Sequence, residues 1–258
     1  MQGDSFLSKE ATLYVFSLPR SSPYLNPSPF CIKLMAFYKI TKLPHTVKFN
    51  TQAIYKNPNK KMPFIDVDGE IYSDSRLILE KYKSVGLDLD SDLTPINKAI
   101  SLAFRRMLEE HTLWYGLMSR WGRNYDFTVK LMFPNLPWFL FWLPLYVYRS
   151  MMKNLYAQGM GRLNYTEQWQ ITKQDIDAVE SLLKESKTDF FFNSKTPTNL
   201  DIVAFSFMFS FTSMPINDQA TPYIMNNCDR IKSLVARMLK DYFPDESIHF
   251  ANLYANKS

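Results

Sequence analysis

Ser28-Pro29-Phe30-Cys31 stands at the head of an apolar helical pattern, and its residue types permit two kinds of chemistry. A serine hydroxyl followed by proline makes a good helix start, because the hydroxyl accepts an exposed backbone N–H and proline at the first helical position loses no hydrogen bond. The same helix end carries partial positive charge, so it also stabilises a thiolate, whether of a protein cysteine or of a bound thiol. Serine occupies the first place of what would be a C-x-x-C redox pair, which excludes thiol–disulfide exchange with residue 28 as attacking group. Cys31 falls three residues into the helix, where a thiol is more often buried and inert.

Two further stretches carry a similar double reading. Pro63, after Met62, opens a β-rich run; proline is tolerated there as structure alone, while a cis bond would leave the Met62 N–H and C=O to pair with a bound peptide. In Tyr72-Ser73-Asp74-Ser75 a hairpin turns into a helix. Asp74 or Ser75 serves as a plain N-cap, or else a carboxylate beside a hydroxyl and free N–H groups receives an ammonium-carboxylate head group.

The elements that must position these residues are legible in the pattern. A strand is expected at 12–16, then a Pro/Ser/Asn-rich loop, the helix after Ser28, a strand at 45–49, a hairpin over 62–74 around Asp68-Gly69, and a helix at 75–86 ending on Gly86. That order, β-α-β-(α)-β-β-α, is the thioredoxin-like one. Residues 87–95, with Asp88, Asp90 and Asp92, read as a linker, after which strand signals nearly vanish. Helices are expected at 96–121, 148–161, 165–186, 199–213 and 227–241, the first with Phe104, Met107, Leu108, His111, Trp114, Leu117 or Met118, and Trp121 facing a core. The predicted architecture is an α/β domain (11–86) followed by an all-helical domain (96–245), with loose tails at 1–10 and 246–258.

Composition narrows the function classes. The chain has 258 residues, 46% of them hydrophobic, enough for a full core. Its two cysteines, Cys31 and Cys228, are too few for a disulfide framework and point to a reducing compartment and a cytoplasmic protein. Residues 1–10 have no apolar stretch of the signal-peptide kind. The net charge is +5; the basic residues are dispersed and make no nucleic-acid stripe, although the sign suits an acidic ligand or an anionic membrane surface. Residues 131–152 are the most apolar, but Pro134, Pro137 and Pro144 break them, and a spanning helix needs about 20 apolar residues in sequence. They read as a buried irregular segment or a protein-docking face, with Trp and Tyr suited to shallow membrane-surface contact. His45, His111 and His249 are scattered, so no metal site is expected, and His111 is expected as a hydrogen-bonded core residue. Gly159-Met160-Gly161 lacks the strand and third glycine of a dinucleotide loop.

With "SPFCIKL" at 28–34, "KKMPFIDVDGEIYSDSRLI" at 60–78, "AFRRMLEEHTLWYGLMSRW" at 103–121, "LYAQGMGR" at 155–162 and "FFFNSKTPTNLDIVAF" at 190–205, the sequence resembles the glutathione transferase superfamily. Within it, the sequence looks most like the failed axon connections family, whose relatives include metaxin-like and cadmium-responsive proteins. The resemblance implies a glutathione site in which the Ser28 hydroxyl donates to the sulfur, Met62 pairs through its backbone with the cysteinyl part, and Pro63 is cis. Asp74 with Ser75 would take the γ-glutamyl end, and Lys61 the glycyl carboxylate. It further implies conjugation of glutathione to a small apolar electrophile, no metal, and a homodimer. The acceptor pocket would draw on helix 96–121, with Arg106, Glu110, Tyr115 and Arg120 as candidates; Arg106 and Glu110, at i,i+4, also read as a surface ion pair. Thr198 and Asp201 match the capping box that this superfamily uses as a fold determinant. The other reading of the same resemblance is a non-enzymatic ligand-binding or assembly module docking through 131–152.

Overall fold

The computed structural model describes residues 6–18, 24–134, 136–245 and 247. Its first half runs β1 (Ala11–Val15), α1 (Pro29–Thr41), β2 (His45–Phe49), β3 (Phe64–Val67), β4 (Glu70–Ser73) and α2 (Ser75–Ser84), with a single 3-10 segment, Thr51–Lys56, between β2 and β3. The strands lie in the order β2-β1-β3-β4, β1 parallel to β2 and antiparallel to β3, and β3 antiparallel to β4. A parallel β1–β2 pair needs a crossover, and α1 supplies it. At the β3–β4 turn Asp68 and Gly69 both have positive φ, 53° and 86°, the backbone that Asp-Gly adopts most readily in a two-residue hairpin. Every residue of α1 from Cys31 to Tyr38 is buried, because the helix is covered by the sheet on one side and by the second half on the other; its apolar residues accordingly go all the way round.

The second half is helical: α3 (Pro95–Arg123, with two π-helical stretches), α4 (Tyr125–Met132), α5 (Leu143–Gln158), α6 (Tyr165–Lys184), α7 (Asn199–Thr212), α8 (Ala220–Asn227) and α9 (Asp229–Tyr242). All of α7 is buried and it packs on α1, α3 and α9, forming the axis of the molecule. Its start is heavily capped. Asp201 Oδ2 accepts the Thr198 N–H at 2.7 Å, Asp201 Oδ1 the Phe191 N–H at 3.0 Å, and Asp90 Oδ1 the Asn199 N–H at 2.8 Å. The capping box is therefore present as expected. The 87–95 segment is not a slack tether, since Asp90 also holds Ser101 and Asp88 holds the Asn199 side chain.

Several expectations need correction. The expected stripe of α3 does face the core, with Leu108 and Trp121 buried and Phe104, Met107, Trp114, Leu117 and Met118 packed against it partly buried; the π-helical stretches Leu108–Thr112 and Met118–Arg123 widen the helix by a residue per turn, and Glu109, Thr112, Tyr115 and Ser119, outside that stripe, are buried as well. Residues 131–152 are not irregular throughout: α5 begins at Leu143, with Pro144 in its first turn, where proline costs no hydrogen bond. Helices α4 and α8 had no sequence expectation. Residues 6–10 are not loose, because the Phe6 ring packs on Tyr72 and Tyr82 (centroids 5.6 and 5.4 Å) and Lys9 pairs with Asp68 at 2.9 Å. The rest of the expected tails, 1–5, 246 and 248–258, lies outside the described residues apart from Ser247, as does His249. His111 is hydrogen-bonded, with Nδ1 2.6 Å from Asp175 Oδ2, but its side chain is 38% exposed rather than in the core.

Candidate functional site

One end of the sheet gathers the candidate residues. Tyr14 is abreast of Phe64 on β1–β3, and Phe64 is abreast of Ser73 on β3–β4. Past these pairs β3 leads back through Pro63 to Met62 and β4 leads on through Asp74 to Ser75, so both segments leave the sheet at the end where β1 passes to Phe16. The Met62-Pro63 bond is cis, and within the described chain no hydrogen bond engages the Met62 backbone. The helix start at Ser28 is tied to the same end: Asn26, fully buried, donates from Nδ2 to the Phe16 carbonyl at 3.0 Å and accepts the Ser28 N–H on Oδ1 at 3.1 Å.

Ser28 has the extended backbone of an N-cap (φ −106°, ψ 123°), and its carbonyl accepts the Cys31 and Ile32 N–H groups, yet its hydroxyl makes no cap bond. The hydroxyl is thus unused as a backbone cap, and its contact within the helix is with the Cys31 thiol. Ser28 borders a cavity of about 890 Å³ whose walls come from both halves: Phe16, Ser17, Asn50, Thr51, Gln52, Ile54 and Tyr55 on one side, Leu113, Leu117, Arg120 and Phe211 on the other, and Leu131, Leu140, Val147 and Met151 at the far end. Cys31 lies beneath. Burial pushes its thiol up to about 12, only partly opposed by the Phe16 backbone and the Ser28 hydroxyl, so it is an inert thiol as expected.

Asp74 caps α2, Oδ1 accepting the Arg76 N–H at 2.8 Å and lying 3.5 Å from the Arg76 Nε. Burial works against its charge, but the Arg76 N–H and guanidinium, with Lys33 behind, hold the carboxyl below the usual carboxylate range. Oδ2 has no partner within the described chain. Asp74 also has φ 69° and ψ 120°, a strained backbone for a residue with a Cβ, of the kind retained where the surroundings over-determine it. Asn57, 1% exposed, locks the Met62 and Asp74 segments together: its Nδ2 donates to the Lys61 carbonyl at 2.7 Å and its Oδ1 accepts the Ser73 hydroxyl. The Lys61 side chain is exposed and has no ion-pair or hydrogen-bond partner among the described residues.

The site thus divides. Ser28 and Arg120 share the cavity; Met62, Pro63, Asp74, Ser75 and Lys61 are at the same sheet end but do not line it. Of the other acceptor candidates, Tyr115 is fully buried and Arg106 and Glu110 lie outside the cavity lining. The anticipated Arg106–Glu110 pair does not form. Arg106 bonds Glu109 at 3.0 Å and Glu110 bonds Arg76, because the π-helical stretch rotates Glu110 toward α2. Arg120 donates to the carbonyls of Pro27 and Ser210, and burial lowers its guanidinium to about 10, which leaves it a cation at neutral pH. Sequence reasoning missed Asn26, Asn57 and Lys33. The Asn-Pro steps at 26–27 and 57–58 signal turn-forming side chains, whereas the Lys33 pairing with Glu109 at 2.6 Å, both side chains buried, has no sequence signal at a separation of 76 residues. Among the described residues no three His, Cys, Asp or Glu side chains gather as metal ligands.

Comparison with known proteins gives this arrangement its family. Residues 29–127 match the glutathione S-transferase N-terminal domain and residues 172–238 the glutathione S-transferase C-terminal domain; the chain belongs to the glutathione transferase superfamily. Within it, the chain is similar to failed axon connections of Drosophila melanogaster (25% identical, covering 90% of this chain and 58% of that protein) and to metaxin-2 of Mus musculus (23%, covering 92% and 90%). The chain therefore spans little more than half of the Drosophila relative. It is also similar to the isoprene-epoxide–glutathione S-transferase of Rhodococcus (28%, covering 61% and 70%). The fold matches that of a glutathione transferase from Phanerochaete chrysosporium with a TM-score of 0.65 at 12% identity, over 91% of this chain and 99% of that one.

Proposed function

We propose that this protein binds glutathione across the sheet end and adds it to an apolar electrophile held in the cavity. Asp74 Oδ2 and Ser75 would receive the γ-glutamyl ammonium and carboxylate, the Met62 backbone the cysteinyl amide, and Lys61 the glycyl carboxylate. The sulfur would then reach Ser28. The observation that carries this reading is the Ser28 hydroxyl, at a helix N-terminus, unused as a cap and bordering a large apolar cavity.

The chemistry follows from that placement. The thiol proton leaves to water, and the Ser28 O–H and the N-terminus of α1 stabilise the thiolate. The sulfur attacks an electrophilic carbon in the cavity; an S–C bond forms as the leaving group departs or a strained ring opens. Apolar walls hold the acceptor close, which supplies proximity, and the Arg120 cation faces charge that develops on it. The Rhodococcus relative makes an epoxide the first acceptor to try. A hydrogen bond to a charged group contributes about 1.5–3 kcal/mol, or roughly 10- to 150-fold in rate. Ser28→Ala should therefore lower kcat by that range while KM for glutathione changes little; unchanged turnover removes Ser28 from the mechanism.

The second reading, a module that binds ligands or partners without catalysis, is favoured by the exposed rings of residues 138–146. Thermal unfolding with and without glutathione separates the two. A ligand at 100 times its dissociation constant stabilises by about 2.7 kcal/mol, and no shift at millimolar glutathione favours the module.

A further inference from the structure

Residues 138–156 show two opposite faces. The inner one, including Leu140, Leu143, Val147 and Met151, walls the cavity. The outer one is aromatic and exposed: Trp138 is 85% accessible, Phe141 77%, Tyr146 65% and Trp142 50%. Along α5, Trp142, Tyr146, Arg149, Lys153 and Tyr156 recur at three- and four-residue steps, so rings and cations share one outward stripe. Charge is one-sided as well. Between Asp126 and Glu167 the sequence has Lys130, Arg149, Lys153 and Arg162 and no acidic residue. All four are exposed, and none forms an ion pair among the described residues.

We propose that this outer face docks the protein, in the plane of the membrane, onto an anionic lipid bilayer. A helix with exposed Trp, Phe and Tyr at one end and unpaired Lys and Arg along the same stripe matches the requirements of the interface, where rings sit at headgroup level and cations meet anionic lipid. No helix among the described residues is long and apolar enough to cross a membrane, and Pro134, Pro137 and Pro144 interrupt the apolar run 131–152. Aromatic rings and Arg also suit a protein–protein face, but Lys is depleted at interface centres, whereas Lys153 stands among the rings here and the run from 127 to 166 has basic residues and no acidic one, the charge that anionic lipid complements. Docking in this orientation brings the wall of the cavity against the bilayer, from which an apolar acceptor would enter. The proposal does not depend on glutathione binding.

Co-sedimentation of the full chain with phosphatidylcholine vesicles, with and without phosphatidylserine, tests it. Binding should require phosphatidylserine and weaken with salt. Arg149→Ala and Lys153→Ala should each weaken it about fivefold, and Trp138→Ala/Phe141→Ala/Trp142→Ala should reduce it at least as much, all with unaltered circular dichroism. In the wild-type chain, brominated acyl chains should quench tryptophan fluorescence, a readout independent of any variant. Absence of sedimentation at low salt, equal binding without phosphatidylserine, or variants that bind like wild type overturns the proposal. So does concentration-dependent self-association that the ring substitutions abolish without any vesicle binding, which would assign the face to a second copy of the chain.

Discussion

Replacing Glu109 with Gln should destabilise the protein far more than loss of an ordinary surface charge, because it orphans a lysine that has no access to water. Lys33 Nζ lies 2.6 Å from Glu109 Oε1, with the two side chains 1% and 3% exposed. Burial lowers the Lys33 ammonium from its ordinary value, and Glu109 raises it again; without the carboxylate the burial penalty remains, with a weaker pull from Asp74 opposed by repulsion from Arg105. Breaking one partner of such a pair costs about 3–5 kcal/mol. The bond from Arg106 to Glu109 adds little, since Arg106 is 43% exposed. At about 2–4 °C per kcal/mol for a chain of this size, the melting temperature should fall by roughly 6–20 °C. Lys33→Met should cost a similar amount by stranding Glu109. The double variant Lys33→Met/Glu109→Leu should recover most of the loss, because apolar residues of similar volume often replace a buried pair without penalty. Urea unfolding followed by far-ultraviolet circular dichroism measures the wild type and the three variants. Single variants within about 1 kcal/mol of wild type, or a double variant as unstable as the sum of the two, would show that the pair is hydrated and the reasoning wrong.

Two further outcomes follow from the structure. Thr198→Ala removes the hydroxyl that accepts the Asp201 N–H and donates to Asp201 Oδ2 at 2.6 Å; a lost N-cap costs about 0.5–2 kcal/mol, and its burial against α7 puts the expected value near the upper end, measurable by the same urea series. His111 should make stability pH-dependent. Its pKa is raised by the hydrogen bond to Asp175, so the folded state binds the proton more tightly than the unfolded one and stability must fall as pH rises. The contribution is complete below the unfolded value and lost as pH climbs through the higher folded value. His111→Gln should therefore cost more at pH 6 than at pH 8.5, and a loss independent of pH would rule out the charged pair.

Much of this molecule is written in short-range pattern. The helix start at Ser28-Pro29, the Asp68-Gly69 hairpin and the Thr198/Asp201 box each depend on residues no more than three or four positions apart, and each stands where the sequence put it. The charge partners were less accessible. Helical spacing pairs Arg106 with Glu110, but the π-helical stretch at Leu108–Thr112 gives Arg106 to Glu109 and turns Glu110 toward Arg76 on another helix. Likewise the 131–152 segment shows its composition in the sequence, whereas its division into a cavity wall and an exposed face depends on how α5 lies against α3.

By itself, then, the sequence determined the order of the elements, their caps and turns, and the serine presented at a helix N-terminus, because those are settled by steric and hydrogen-bond preferences within a few residues. Only the tertiary structure decided that Asn57 joins the Met62 and Asp74 segments, that Lys33 is buried against Glu109, and that Arg120 reaches the Pro27 carbonyl across 93 positions. These contacts exist because packing the sheet against the helical half removes water from polar groups. Which group then satisfies which depends on where the chain has brought them, and spacing along the chain carries no record of that.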